Sequence, residues 1–203
     1  MELNNTFYQR PTAARIDAWC AAVPDSFRFV TKAQRGGSSR AFSATAEESV
    51  AWLTERLPGF GERLGAVLMT VPDNAHRRPD GSSDESLARL LGSWPRTIPL
   101  VMEFSHPSWH VDETFGLLRA AGAVLCATDL PERDGPPDIR VTGTGLYLRL
   151  RRHDYSTADL QAWAARIQPF LEAGHPALAF FRHDESGRAA ELAAELNRLV
   201  ESG

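Results

Sequence analysis

Leu64-Gly65-Ala66-Val67-Leu68-Met69-Thr70-Val71 is the stretch on which the fold turns. It is apolar almost throughout and far shorter than the roughly 20 residues of a membrane span. A strand with one wet face alternates apolar and polar residues. A strand that is apolar on both sides needs cover on both faces, as in a parallel sheet flanked by helices. Upstream, Ser26–Lys32 reads as a strand rich in aromatic and β-branched residues. A loop with Gly36-Gly37-Ser38-Ser39 follows it, then a helix near 45–57 carrying Val50, Leu53 and Leu57. Residues 2–8 read as the first strand, and Pro11 opens a helix with Ile16, Trp19, Cys20 and Val23 on one face. Downstream, a polar loop at 72–83 leads to a helix with Leu87, Leu90, Leu91 and Trp94. A strand at Leu100–Ser105 and a helix with Phe115 and Leu118 come next, the helix ending at Gly122 as a C-cap. Ala123–Asp129, Leu146–Leu150 and Ala177–His183 are further strands. Residues 130–140 are broken by prolines; helices at about 157–173 and 187–201 carry Leu160, Trp163, Ile167 and Phe170, and Leu192, Leu196 and Leu199.

Seven strands alternating with helices or short loops predict an α/β fold with parallel strands and right-handed crossovers. No linker marks a domain boundary, so 1–203 reads as one domain. The dinucleotide-binding fingerprint is missing, since Gly143-Thr144-Gly145 precedes a strand instead of following one, and no phosphate-binding Gly-x4-Gly-Lys-Ser/Thr loop exists. That disfavours an open nucleotide-binding sheet and favours a TIM-type (β/α) barrel, incomplete or open, with about seven parallel strands. A full eight-unit barrel takes about 250 residues, and 203 is near the floor.

The net charge of -4 argues against a large nucleic-acid footprint, though local arginines leave a phosphate contact open. No basic start followed by an apolar stretch opens the chain, and no run predicts a membrane span. Two cysteines, Cys20 and Cys126, fit a reducing cytoplasm.

Several segments resemble the DUF72 (YecE-like) family, which has a TIM-barrel fold and no established activity. They are Glu2-Leu3-Asn4-Asn5-Thr6-Phe7-Tyr8, Phe27-Arg28-Phe29-Val30-Thr31-Lys32-Ala33, Leu64-Gly65 with Pro72, and Glu103-Phe104-Ser105-His106-Pro107-Ser108-Trp109. Asp129, Tyr147-Leu148-Arg149-Leu150, Phe181 to Asp184, Gly187 and Ala189 complete the match. The family's first strand, with its Gly-Thr-Ser-Gly-Trp-like motif, has no counterpart here. Ser105 stands where the family has Arg, Arg151-Arg152 replace its His-Gly, and Arg182-His183 replace its paired Asn residues. The resemblance therefore implies a barrel lacking its first strand, with exposed edges that invite self-association.

In such barrels the site lies where the strands end at their C-termini. Lys32, Glu103, Asp129, Arg149 and, just past the last strand, Asp184 put charges there. A charge at the end of an apolar strand needs a partner or a purpose. On the functional reading Glu103 is the acid or base, Lys32 and Arg149 stabilise developing negative charge, and Asp129 orients or relays protons. On the plainer reading these charges pair with one another. His106 reads as a proton shuttle or a loop histidine bonded to backbone; its i+4 spacing to His110 is interrupted by Pro107, which disfavours a metal pair. Asn4, Trp109, Tyr147, Arg182 and Asp184 are candidate substrate contacts, with Arg182, Arg151 and Arg152 converging on a phosphate beside the last helix. Trp109 reads as loop packing before ligand stacking, and Asp184 with Glu185 reads also as a helix cap. The expected ligand is small and polar or phosphorylated, with no cofactor and no metal. The function expected is a hydrolase of a phosphoester or glycosidic bond. The alternatives are a non-catalytic phosphate or nucleic-acid binding module, or a degenerate relative.

Overall fold

The computed structural model describes residues 1–43, 45–183 and 185–202. Its strands are all parallel and follow one another in sequence order from β1 to β7. With helices between them they form an α/β fold of the TIM-type (β/α) barrel class, seven-stranded, with β1 and β7 ending the strand order. The chain divides into two compact units, 1–124 and 125–203.

The first unit holds β1 (Glu2–Leu3), α1 (Ala13–Ala21), β2 (Phe29–Lys32), α2 (Arg35–Ala41), α3 (Ala46–Thr54), β3 (Leu64–Val71), α4 (Ser82–Ser93), β4 (Leu100–Phe104) and α5 (Asp112–Ala121). In β3, Val67, Leu68, Met69 and Val71 are all buried, so consecutive side chains on both faces are covered. Its register pairs Leu68 with Lys32 of β2 and Thr70 with Glu103 of β4. The second unit begins within β5 (Val124–Asp129) and continues through β6 (Leu146–Leu150), α6 (Thr157–Glu172), β7 (Ala177–Phe181) and α7 (Arg188–Glu201). Leu146, Leu148 and Leu150 share one core with Leu160, Trp163 and Ile167 of α6 and with Leu192 and Leu196 of α7. No helix among the described residues is long and apolar enough to cross a membrane.

Four expectations need correction. The first strand covers only two residues, because Asn4–Phe7 turn into a 3-10 helix. Thr6 fixes that turn: its hydroxyl lies 2.7 Å from the carbonyls of Leu3 and Lys32 and accepts the Lys32 amide at 2.9 Å. The second strand starts at Phe29, after Phe27 has been drawn into a turn by its amide bond to Pro24 O. The Gly-Gly-Ser-Ser segment is helical in α2, although glycine and serine are poor helix formers. Gln34 caps it by accepting the Gly37 amide at 2.8 Å, and a Cβ on Gly37 would lie 2.6 Å from a Leu53 methyl. Close packing against α3 thus overrides local propensity. Finally, β7 ends at Phe181, two residues early, and α7 is capped by Gly187 at φ 85° with no side-chain cap. Asp184 lies outside the described residues, and Glu185 does not cap the helix.

Candidate functional site

In the first unit the charged strand ends take distinct positions. Glu103 is the penultimate residue of β4 and only 5% exposed. Its Oε2 accepts the Thr70 hydroxyl at 2.9 Å, across the register pair that joins β3 to β4. Lys32 ends β2, half-buried, with its ammonium 4.7 Å from the centre of the Phe7 ring. Asn4 is exposed on the 3-10 turn after β1.

Beyond the C-terminal end of β3 lies a cavity of about 820 Å³. Its wall runs from Thr70 and Val71 through the loop residues Asn74, His76 and Arg78 to Ser82, Ser83 and Ser86 of α4. Arg35, Ser38 and Ser39 of α2 close another side, and Phe7, Phe42 and Trp109 supply aromatic surface. The described lining residues include two arginines and a histidine but no carboxylate. Neighbouring Arg77 is different: it clamps Asp84 through two bonds of 2.7 and 2.6 Å and thereby ties the loop to α4. Among the described residues neither Arg35 nor Arg78 forms an ion pair within 4 Å, although Asp80, held by Ser82, also feels the Arg78 charge. Thr70 connects this cavity to the buried Glu103 by a single hydrogen bond.

His106 begins the 3-10 turn Pro107–Trp109 and accepts the Ser108 amide on Nδ1 at 3.2 Å. The proton of its neutral ring therefore sits on Nε2. The ring stacks on His76 with centroids 3.8 Å apart. Ser108 Oγ lies 2.8 Å from His106 Nδ1 and accepts the Arg77 amide at 2.8 Å, which binds this turn to the cavity loop. Trp109 is buried, stacked on Phe104, and donates its indole N–H to Ala75 O at 2.7 Å. It packs the loop and at the same time floors the cavity.

In the second unit Asp129 ends β5 fully buried. Oδ1 accepts Arg152 Nε at 3.1 Å and Oδ2 accepts the Tyr155 hydroxyl at 2.9 Å. Burial, followed by the adjoining Asp129, pushes the Tyr155 phenol well above its ordinary value. Arg152 is thus held at Asp129, while Arg182 Nη1 lies 3.3 Å from a ring nitrogen of His153 on the surface. The expected convergence of these two arginines on one anion is not what their present bonds support. Tyr147 and Arg149 are both buried in β6, Tyr147 with its ring 5.2 Å from that of Phe180.

A family model described as "Protein of unknown function DUF72" matches residues 1–203. The chain belongs to the DUF72 family. Two solved DUF72 proteins share its fold. One, from Enterococcus faecalis, superposes with a TM-score of 0.80 at 19% identity, covering 98% of this chain and 88% of that one. One from Thermotoga maritima gives 0.78 at 23% identity, covering 98% and 84%. At such identities the likeness establishes the fold alone. No curated protein matches the chain.

For this DUF72 protein, the resemblance pointed to strand-end residues and passed over Arg35, His76, Arg78 and Thr70. The sequence shows only that an arginine follows β2 at the start of α2 and that others stand in the loop after β3, at the end of the strands where such folds place function; it does not show that they share a cavity.

Proposed function

We propose that this DUF72 protein is a hydrolase whose substrate is a phosphoester, bound in the cavity beyond β3. The observation that carries the reading is the presence of two arginines without an ion pair among the described residues, Arg35 and Arg78, in a cavity whose Thr70 wall is backed by buried Glu103. A glycosidic substrate is less well served, since glycosidases work with two facing carboxylates and the described lining holds none.

In this reading the guanidiniums hold the phosphoryl oxygens through charge-assisted bonds. A water attacks phosphorus and gives its proton to the Thr70 hydroxyl, which passes its own to Glu103. The bond from phosphorus to the ester oxygen breaks, and that oxygen takes a proton from His76. His106 supports His76 by stacking, and Lys32 adds positive charge at the Phe7 side. Asp129, Arg149, Tyr147 and Arg182 belong to the second unit and take no part in this step. The ligand partner is a small phosphorylated molecule. We further propose that 1–203 works as one domain in the reducing cytoplasm, a setting that suits its two free cysteines, and that a second copy of the chain meets the edge of β7.

The test is hydrolysis of fluorogenic phosphomonoesters, phosphodiesters and glycosides by the wild type, Glu103→Gln and Thr70→Val. Loss of a proton relay lowers the rate by about 100-fold or more. Phosphoester turnover that both variants retain in full sinks the assignment of Glu103. A wild type that binds phosphate without turning over any phosphoester leaves a binding module in place of an enzyme.

A further inference from the structure

The cavity is much larger than a phosphate group needs. At about 820 Å³ it lies in the size range of pockets that enclose whole drug-sized ligands, about 300–1,000 Å³. The rest of the substrate must therefore match the rest of the lining, and the hydrogen bonds there define its chemistry.

A serine hydroxyl has one proton to donate and two lone pairs to offer. Four of the lining serines have already placed that proton. Ser38 donates to Gln34 O at 3.0 Å and Ser39 to Arg35 O at 3.1 Å. Ser82 donates to Asp80 Oδ1 at 2.6 Å and Ser86 to Ser82 O at 2.9 Å. Toward a ligand these oxygens act as acceptors, and they call for ligand O–H or N–H groups. The aromatic part of the lining is separate in kind. Phe7 and Phe42 are half-buried and so keep ring surface available, and Phe42 is braced edge-on by Trp109 at a centroid distance of 6.0 Å. Two guanidiniums without an ion pair among the described residues, acceptor hydroxyls on two sides of the cavity and aromatic surface correspond to an anion, a donor-rich hydroxylated middle and a flat ring.

We propose that the substrate is a nucleoside monophosphate: phosphate on Arg35 and Arg78, ribose hydroxyls and base amino group facing the serine oxygens, and the base against Phe42. This assignment rests on the phosphoester reading above and narrows it. An aliphatic phosphate leaves the aromatic surface wet, and a plain aryl phosphate leaves the serine acceptors without donors.

Isothermal titration of the full chain tests it, with Glu103→Gln in parallel so that ligand is not consumed. The probes are adenosine 5′-monophosphate, adenosine, phenyl phosphate, glycerol 3-phosphate and inorganic phosphate. Adenosine 5′-monophosphate is expected to bind about tenfold or more tighter than glycerol 3-phosphate or phenyl phosphate. Removing both charges with Arg35→Gln and Arg78→Gln weakens it by about tenfold or more. Phe42→Leu weakens it by about tenfold and leaves glycerol 3-phosphate binding unchanged, which also shows that the variant is folded. Glycerol 3-phosphate or phenyl phosphate binding as tightly as the nucleotide overturns the nucleoside assignment while the phosphoester reading stands. Adenosine binding as tightly as its monophosphate, with no effect of the arginine substitutions, overturns the phosphoester reading instead and keeps the base and ribose contacts. Absence of binding by every probe overturns both.

Discussion

Asp129 shows at the residue scale how one buried charge is satisfied. The carboxylate has no exposure, and each oxygen has a partner: the Arg152 guanidinium on one side and the Tyr155 phenol on the other. An unpartnered carboxylate there would be expensive, so these bonds hold residues 151–155 in place after β6. Tyr155 gives the arrangement a pH signature. Its folded phenol titrates above the ordinary value of about 10, first through burial and then through Asp129. Above pH 10 the unfolded chain loses this proton while the folded chain keeps it, so the unfolded state binds fewer protons and stability falls as pH rises. Below pH 10 the contribution is fully present. Tyr155→Phe is therefore expected to destabilise by about 1 kcal/mol at pH 8, with the gap to the wild type narrowing as the pH passes 10. Urea unfolding of both proteins at pH 8 and pH 10.5 measures this, and an equal gap at the two values contradicts it.

At the element scale, close backbone approach decides what local propensity does not. Gly145 leads into β6, and a Cβ built on it would stand 2.3 Å from Pro176 O, the carbonyl that also accepts the Leu146 amide at 2.8 Å. The backbone cannot give way there without loosening the start of the β6–β7 ladder. Gly145→Ala is expected to lower stability by about 2–3 kcal/mol. Gly122, which ends α5 at φ 68° and whose Cβ position would meet only the flexible Arg96 guanidinium at 4.0 Å, is expected to lose about 1 kcal/mol on the same change. Thermal unfolding of the two variants checks the order, and a Gly122→Ala protein less stable than Gly145→Ala refutes it. Elements dominated by apolar runs were legible in the sequence: residues 64–71 and 146–150 form strands with the expected bounds. The elements that were not legible, α2 and the turn after β1, owe their form to Leu53 packing on Gly37 and to the Thr6 hydroxyl reaching Lys32.

At the scale of the whole molecule the strand order has two ends. β7 pairs with β6 on one side, and no strand pairs with its other edge among the described residues. Leu178 is 36% exposed on that strand, and its neighbours are half-buried at most. Open parallel edges of this kind attract another chain. Light scattering is expected to give a mass above the 22.4 kDa of one chain, reduced toward it by Leu178→Lys. A 22.4 kDa particle in the wild type removes the self-association proposal. The sequence by itself determined the order of the strands, their parallel direction and the class of fold, because burial on two faces writes a nearly continuous apolar run into neighbouring residues. Tertiary structure alone decided where an anion can be held. Phe7, Arg35, Arg78 and Trp109 stand in separate polar or mixed segments. Only the packing of α2, α4 and the loop after β3 brings two arginines, unpaired within 4 Å among the described residues, to the wall of one cavity, and no local pattern encodes that meeting.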